Sequence, residues 1–421
     1  MNSLSPSIIF KVMGLRRCSS LKGSEQETSE DLSILPWFLN SYLLIPASYL
    51  TYLVVGLLAR FFPSTSKYFS KAFPEFWLPS IAICLIAIFA MYIAGRSFFL
   101  LKREFRWIIL SFSVLFGFLG SLNVSGLLAV IVQVGVVLVV AKFWRYERSI
   151  LCGALIGSII CFLLLNSRGI PLLNPELRAA ISSSPLRAGF QVSSIFAAAY
   201  SSSKYGKRGF LFLLPLSAMA ILLGYKGNLA SIVIASLIAS MISADVGIGE
   251  AFSISSTLII VILLMGTFIA KLSYGSWTIP SSYYLLYRTG LSLHVFQELA
   301  RVSFPLGLTY GLAMLDPTKK VIAKVIETPR EVGITATLIG PATLDFGLLG
   351  AISLSVLLGI FMRAMHPSER SSIQVALYSA SIARIMTLLD IGVGFVDLSY
   401  LLSLLYLTLE VRKRSLENQI F

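Results

Sequence analysis

Long apolar runs recur along this chain from residue 38 to residue 411, with short polar segments between them. A bilayer core of about 30 Å is crossed by roughly 20 helical residues, and most of the runs reach that length. Backbone amides in lipid must bond within a helix or a closed barrel, and the runs lack the alternation of barrel strands. We therefore predict transmembrane helices. The predicted spans lie at about 38–60, 77–95, 107–122, 124–141, 149–166, 188–202, 210–225, 228–246, 251–271, 338–363, 372–389 and 393–411.

The composition excludes a soluble globular enzyme. Hydrophobic residues make up 56% of the 421 residues and charged residues only 13%, which is about half the charged share of an average soluble chain. A water-facing surface cannot be built from so few charges. We predict an all-α membrane protein with about 12 transmembrane helices, in which residues 32–421 form a single polytopic transmembrane domain.

Residues 1–31 are polar and mixed in charge, and they lack the long apolar stretch of a signal peptide. They predict a cytosolic N-terminal arm. With the N-terminus inside, more lysines and arginines fall on the cytosolic side than outside, as the positive-inside rule requires. This pattern predicts a multi-pass protein of the plasma membrane with both termini in the cytosol.

Two external loops exceed simple turns, at about 167–187 and about 272–337. The second loop lies between predicted spans nine and ten and is strongly basic. Within it, residues 283–304 have polar and apolar faces at helical spacing, which predicts an amphipathic helix at the interface or along a water-filled cavity. We expect its lysines Lys319, Lys320 and Lys324 to be solvated or to face lipid headgroups.

The formal net charge is +14, and the basic residues sit between the apolar runs. They indicate anionic membrane lipids or a phosphorylated substrate as partners and exclude nucleic acid. The four cysteines have no CxxC spacing, and the two histidines are far apart. Neither a disulfide framework nor a metal site is indicated, and we expect no cofactor.

Residues 341–362 read PATLDFGLLGAISLSVLLGIFM, in which an acid is followed by Phe-Gly and, three residues later, by glycine. The segment resembles a late helix of the O-antigen polymerase (Wzy-like), or oligosaccharide repeat-unit polymerase, family of polytopic membrane glycosyltransferases. Two further pieces are similar in the same order, namely GYKGN at residues 224–228 and Tyr287-Arg288-Thr289 after span nine. The resemblance covers roughly residues 150–411 and implies a GT-C-like fold.

A polymerase of this family takes a polyprenyl-(pyro)phosphate-linked oligosaccharide and transfers it to the hydroxyl of a second lipid-linked glycan in surface polysaccharide synthesis. The resemblance thus implies a lipid-linked oligosaccharide as substrate, membrane lipids around it, and an active site facing outside. A chain-length regulator or a flippase is a candidate protein partner. Because no carboxylate cluster such as DxD is visible, we predict a metal-independent enzyme.

The leaving diphosphate is highly anionic, and arginine suits it because a planar fork donates two bonds to phosphate oxygens. Arg288 and Arg301 are the leading predicted phosphate ligands. On one continuous helix these two side chains would point about 140° apart, and Arg301 could instead pair locally with Glu298. The secondary predicted phosphate ligands are Lys226, Arg187 and Arg330.

The acceptor hydroxyl must lose a proton, and the predicted acid/base candidates are Asp345, Glu331 and Glu327. Asp345 falls inside span ten, where an unpaired charge is costly, so it must face protein or water. If burial makes the Asp345 carboxylate a stronger base, it can act as a general base for the sugar hydroxyl. An ion pair with Arg384 on the next span, which would be purely structural, explains Asp345 equally well. The two glutamates could be simply solvated in the loop.

Sugar rings stack on aromatic faces, so the cluster after span nine indicates sugar contacts. The predicted sugar-binding residues are Tyr284, Tyr287 and Trp277, although an interfacial aromatic belt explains them equally well.

The sequence leaves two other functions open. A ligase-like transferase would share the phosphate site and differ in its acceptor, and a 12-span transporter or flippase of lipid-linked glycans would share the span number.

Overall fold

The computed structural model describes residues 37–62, 64–66, 77–97, 103–120, 124–144, 146–181, 184–243, 246–274, 277–316, 319–327, 334–368 and 371–420. Every regular element in these ranges is helical, which confirms the predicted all-α class. The predicted N-terminal arm, residues 1–31, lies outside the described residues. The division into this arm and a transmembrane domain stays a prediction.

The α-helices among the described residues are α1 (Ser41–Leu58), α2 (Pro79–Ser97), α3 (Arg106–Leu119), α4 (Val124–Phe143), α5 (Glu147–Asn166), α6 (Pro175–Ile181), α7 (Pro185–Tyr205), α8 (Phe210–Leu222), α9 (Lys226–Ile242), α10 (Ile248–Tyr274), α11 (Tyr284–Ser303), α12 (Leu312–Leu315), α13 (Lys320–Val325), α14 (Gly340–Met365), α15 (Ser372–Ile391) and α16 (Phe395–Ile420). Short 3-10 turns precede α3 and α11 and join α7 to α8.

Seven segments of these ranges are long and apolar enough to cross a membrane, by length and composition. They are Ser41–Leu58, Pro79–Ser97, Glu147–Asn166, Pro185–Leu222, Ile248–Leu272, Gly340–Met365 and Ser372–Ile391. The predicted number of twelve spans is not confirmed, because α3 has 14 residues and α9 has 17. In addition, α7 and α8 together make a single candidate segment.

Helix α15 is the best buried of the candidate segments, with 83% of its apolar window inside the protein, against 17% for α5 and for α10. It packs against both α7 and α9, which also pack against each other. Small residues on α9, including Ser231, Ala235 and Ala239, are buried at these contacts. Small side chains let helices approach closely, which is how helices associate in lipid.

Helix α11 fills the predicted helical stretch at 283–304 and runs unbroken through Gly290. It packs on α1 and α14, and Leu293, Phe296 and Ala300 have no exposed surface. The helix predicted at the interface or along a water-filled cavity therefore packs into the helix bundle along one face. Close approach recurs where α14 crosses α2, because a Cβ on Gly359 would lie 2.5 Å from the carbonyl oxygen of Met91.

Candidate active site

Several helix ends meet at one end of the bundle, where α7, α9 and α11 begin and α15 ends. Local sequence fixes these ends. Pro185 opens α7 and the Ser184 hydroxyl accepts the N–H of Leu186, which is a standard N-terminal cap. Helix α15 ends at Gly392, whose φ of 83° favours glycine. The first turns of three helices thus present their side chains near the last turn of a fourth.

Arg288, in the first turns of α11, joins the end of α15. Its Nε lies 2.9 Å from Oδ2 of Asp390, and its Nη2 donates to the Thr335 hydroxyl at 2.5 Å. The other carboxylate oxygen of Asp390 accepts the hydroxyls of Ser292 at 2.6 Å and Tyr52 at 2.9 Å. Groups from α1, α11 and the segment before α14 therefore hold the pair in one orientation.

Lys226, the first residue of α9, donates to the hydroxyl of Tyr284, and its Nζ lies 4.4 Å from the centre of that ring. The rings of Trp277 and Tyr287 meet edge to face at 5.1 Å, and Trp277 lies 6.1 Å from Tyr284. Arg288, Asp390 and Arg178 are within electrostatic range of the Lys226 ammonium. The three predicted sugar-binding aromatics thus form one group beside two of the predicted phosphate ligands.

Arg187, in the first turn of α7, stacks on Tyr225 with its guanidinium carbon 4.2 Å from the ring centre. A guanidinium over an aromatic face is a stabilising cation–π contact. The Tyr225 hydroxyl in turn donates to the backbone oxygen of Arg178 at 2.8 Å. Arg384 and Asp397 lie within electrostatic range of Arg187, so the same end of the bundle continues toward α16.

Arg384 does not pair with Asp345, the alternative that the sequence left open. It forms an ion pair with Asp397 at the start of α16, whose Oδ2 also accepts the Gly394 N–H at 3.0 Å. Helix α15 turns back directly into α16, so the pair closes within one hairpin. The structure thereby corrects the sequence-based pairing.

The prediction that Lys319 is solvated is wrong, because only 5% of it is exposed. A Cβ on Gly394 would lie 3.4 Å from its Nζ and 3.7 Å from Oδ2 of Asp397. Burial lowers the pKa of Lys319, and the charges of Asp397 and Asp316 partly offset that effect. The folded chain therefore holds this cation inside, against the cost of desolvation.

These contacts assemble what we call the cationic cluster, Arg178, Arg187, Lys226, Arg288, Lys319 and Arg384. Asp390 and Asp397 are the carboxylates ion-paired within it. The six cations outnumber these two carboxylates together with Asp316 and Asp345, which are within electrostatic range of Lys319, and all six cations are half-buried or buried. Fixed cations in a partly dehydrated site are suited to an anionic group such as a phosphate.

Asp345 has no exposed surface, and it is within electrostatic range of Lys319, a member of the cationic cluster. Its Oδ1 accepts the Thr309 hydroxyl at 2.5 Å and the Ala313 N–H at 2.9 Å, and its Oδ2 accepts the Met314 N–H at 2.8 Å. Both oxygens are thus engaged by the segment that leads into α12. A carboxylate that accepts N–H groups at a helix start is a stabilising cap.

Gly347 explains the Phe-Gly step of the same motif. Helix α14 is kinked at this point, and Gly347 has φ of 60° and ψ of −142°. A Cβ there would lie 2.0 Å from the carbonyl oxygen of Pro305, and the Leu348 N–H donates to that oxygen at 3.1 Å. The acid and the glycine of the motif both anchor the segment 305–314 to α14.

Two of the remaining predicted site residues, Arg301 and Glu327, are not brought into the cationic cluster. Because α11 is continuous, Arg301 does not converge with Arg288; it is half-exposed and pairs with Glu298 at 2.7 Å. Glu327 is exposed after α13. Two further candidates, Glu331 and Arg330, lie outside the described residues. The acid/base and phosphate roles of these residues stay predictions.

Sequence reasoning missed the carboxylates Asp390 and Asp397 and gave no binding role to Arg178, Arg384 or Lys319. A signal was present for the two acids, because they flank Gly392 and Gly394, with Asp390 directly after one predicted span and Asp397 near the start of the last one. That turn falls on the same predicted side as Arg288. A charge at the end of an apolar helix on the side of the predicted site would have identified both.

Among the described residues, no group of three or more histidine, cysteine, aspartate or glutamate side chains could hold a metal ion.

A family model described as "Putative O-antigen polymerase" matches residues 76–405. An uncharacterized protein of Methanocaldococcus jannaschii is 26% identical over 276 residues, which are 64% of this chain and 68% of that protein. No solved structure matches the chain.

Proposed function

Because the chain belongs to the putative O-antigen polymerase family, we propose that it transfers an oligosaccharide from a polyprenyl (pyro)phosphate to the hydroxyl of a second lipid-linked glycan. The product is a surface polysaccharide. The observation that carries this proposal is the cationic cluster, which collects basic side chains from α6, α7, α9, α11 and α15 at one end of the bundle.

The chemistry of the leaving group accounts for such a cluster. When the glycosidic bond to the carrier breaks, negative charge builds up on the diphosphate, and cations already fixed in place stabilise it without reorganisation. Arg288 is fixed by Asp390 and Thr335, and Lys226 by Tyr284. We assign these two as the first phosphate ligands, with Arg187 behind them.

The sugar and the acceptor complete the proposed site. The edge-to-face rings of Trp277 and Tyr287, with Tyr284 beside them, offer apolar faces to a sugar next to Lys226. We keep Glu327 and Glu331 as candidates for taking the acceptor proton. Glu331 precedes Thr335, a partner of Arg288, by four residues in the sequence. Asp345 is the weaker candidate because both of its oxygens are engaged.

The proposed setting is the cell membrane, with both termini cytosolic, a full set of about 12 spans, and the cationic cluster facing outside. A chain-length regulator or a flippase is the proposed protein partner. The reaction is proposed to need no metal, since the fixed cations perform the charge stabilisation that a bound metal would otherwise supply.

The test is a polymerisation assay with the full-length protein in lipid nanodiscs, lipid-linked oligosaccharide and a chelator, followed by sizing of the product. We expect a ladder of polymer lengths that the chelator leaves unchanged. Loss of the ladder with chelator, and its return with a divalent cation, would reject metal independence. A single addition to another acceptor would identify a ligase.

Arg288 and Arg301 make a matched pair of variants, because they share α11 and each has an acidic partner. Arg288→Ala should lower the rate by about 100-fold, the typical cost of removing one fixed donor from a transition state. Arg288→Lys should recover part of the rate, since it keeps the charge and loses the fork. Arg301→Ala should stay within about twofold of the wild type, as for other exposed i, i+3 pairs. Equal effects at the two positions would reject the assignment.

A further inference from the structure

An open, mostly apolar groove of about 580 Å³ lies between α1, α10, α11 and α15. On α1 its walls are two rows of residues four apart, Leu44, Ser48 and Tyr52 in one row and Ala47, Thr51 and Val55 in the other. Residues four apart share one face of a helix. The groove therefore follows α1 over residues 44–55, a length of about 16 Å at 1.5 Å per residue.

Few hydrogen-bonding groups remain available along these walls. The Thr51 hydroxyl donates to Ala47 O on its own helix at 2.9 Å, and the Thr289 hydroxyl to Leu285 O at 3.0 Å. The other walls include the aliphatic side chains of Ile259 and Met386. Such a surface suits an apolar occupant, and Ile259 on α10 is 46% exposed, so the groove opens to the side.

One end of the groove reaches the candidate active site. Tyr52 lines the groove and donates to Asp390 at 2.9 Å, the carboxylate that pairs with Arg288. Leu389 and Thr289, the chain neighbours of Asp390 and Arg288, also line it. The residues at the other end, Ala47 and Leu44, lie about one and a half and about two turns from Tyr52 along α1. The groove thus leads from an apolar helix surface directly to fixed cations.

We infer that this groove holds the isoprenoid chain of the lipid carrier nearest to its phosphate, with the phosphate at Arg288 and Lys226. The inference rests on the proposed function. An anionic head joined to a long apolar chain matches a cationic end continuous with an apolar groove. A depth of about 16 Å is roughly half of a bilayer core of about 30 Å, so the distal part of the chain stays among the membrane lipids.

Ala47→Phe tests the groove by filling it, and Leu50→Phe is the matched control, since Leu50 is 45% exposed on another face of α1. Polymerisation is measured with the full-length polyprenyl carrier and with a carrier of a single isoprene unit, which is too short to reach Ala47 from the phosphate site. In Ala47→Phe the ratio of kcat/KM for the long over the short carrier should fall about tenfold, as when roughly two methylene groups leave the groove. Leu50→Phe should keep the wild-type ratio. An unchanged ratio in Ala47→Phe would overturn the inference.

A binding measurement separates this inference from the proposed function. A photoactivatable polyprenyl phosphate in phosphatidylcholine nanodiscs should label residues 44–55 of the wild type and of Leu50→Phe, and not of Ala47→Phe. Excess phosphatidylglycerol should compete weakly. Absence of labelling, or equal competition by phosphatidylglycerol, rejects the isoprenoid groove. Labelling without polymerisation supports the groove and rejects the polymerase.

Discussion

Two carboxylates on neighbouring helices, Asp345 and Asp390, have opposite surroundings. Asp345 is completely buried, and the three groups that donate hydrogen bonds to its carboxylate all come from residues 309–314. Asp390 has a 30% exposed side chain and is held by Arg288, Ser292 and Tyr52, which belong to two different helices. Asp345 thus holds residues 309–314 against α14, whereas Asp390 holds Arg288 at the end of the helix bundle.

This difference teaches that a recognisable motif can mark a folding constraint instead of the chemistry. The acid-Phe-Gly motif that identifies the family kinks α14 and caps α12. The cations, by contrast, gather from six separate places in the chain, and only Lys226 and Arg288 belong to pieces that resemble the family. We therefore propose that Asp345 contributes to stability and that Asp390 positions Arg288, and mutation can separate the two roles.

Asp345→Ala should produce the largest effect of the variants considered in this comparison, and the effect should be on stability. The change leaves the N–H groups of Ala313 and Met314 buried without their acceptor. Each such group costs about 1–3 kcal/mol, so a total near 4 kcal/mol is expected. Thermal unfolding of the purified protein in detergent measures it, and Asp345→Asn, which keeps an acceptor oxygen, should unfold at an intermediate temperature. A stable but inactive Asp345→Ala protein would restore its predicted role as the base.

Asp390→Asn should lower the polymerisation rate while the protein stays folded. Asparagine keeps the shape and can still accept a hydroxyl, but it has no charge to hold Arg288. A hydrogen bond to a charged group is worth about 1.5–3 kcal/mol, so we expect a loss near 30-fold. Glu250→Gln is the control, because Glu250 forms an exposed ion pair with Lys207 at 2.6 Å outside the cationic cluster. If both variants keep full activity, Asp390 does not position Arg288.

The sequence was sufficient for the helical class and for part of the cationic cluster. Apolar runs are a local property, and topology alone placed Lys226, Arg187 and Arg288 on the same predicted side. Partners across long separations were not predictable. Arg288 and Asp390 are 102 residues apart in the chain, and only the packing of α11 near α15 brings them together. The partners of Asp345 likewise depend on the path of residues 305–314, which has no helical or strand period to read.

The number of spans could not be predicted from the sequence either. A hydropathy run gives the length of an apolar segment, but whether two runs form two helices or one candidate segment depends on the turn between them. The segment 206–209 between α7 and α8 is a 3-10 turn that follows α7 without a gap, so Pro185–Leu222 counts once by length and composition, although Gly206 has a non-helical φ of 55°. Composition could not reveal that connection.

Tyr52→Phe should give the smallest effect of the comparison, because it removes one of the hydroxyl donors to Asp390 and keeps the ring in the groove. Because this donor acts on Arg288 only through Asp390, which keeps the Ser292 donor, we expect a cost of about 1 kcal/mol in the transition state, or a fall near fivefold in the polymerisation rate. Tyr49→Phe is the matched variant, since Tyr49 is on the same helix and its hydroxyl donates to Thr337 at 3.1 Å, away from Asp390. Its rate per folded molecule should stay within about twofold of the wild type. Equal losses in the two variants would mean that hydroxyls on α1 act through stability alone, and the distinction between the Asp390 site and the rest of the helix bundle would fail.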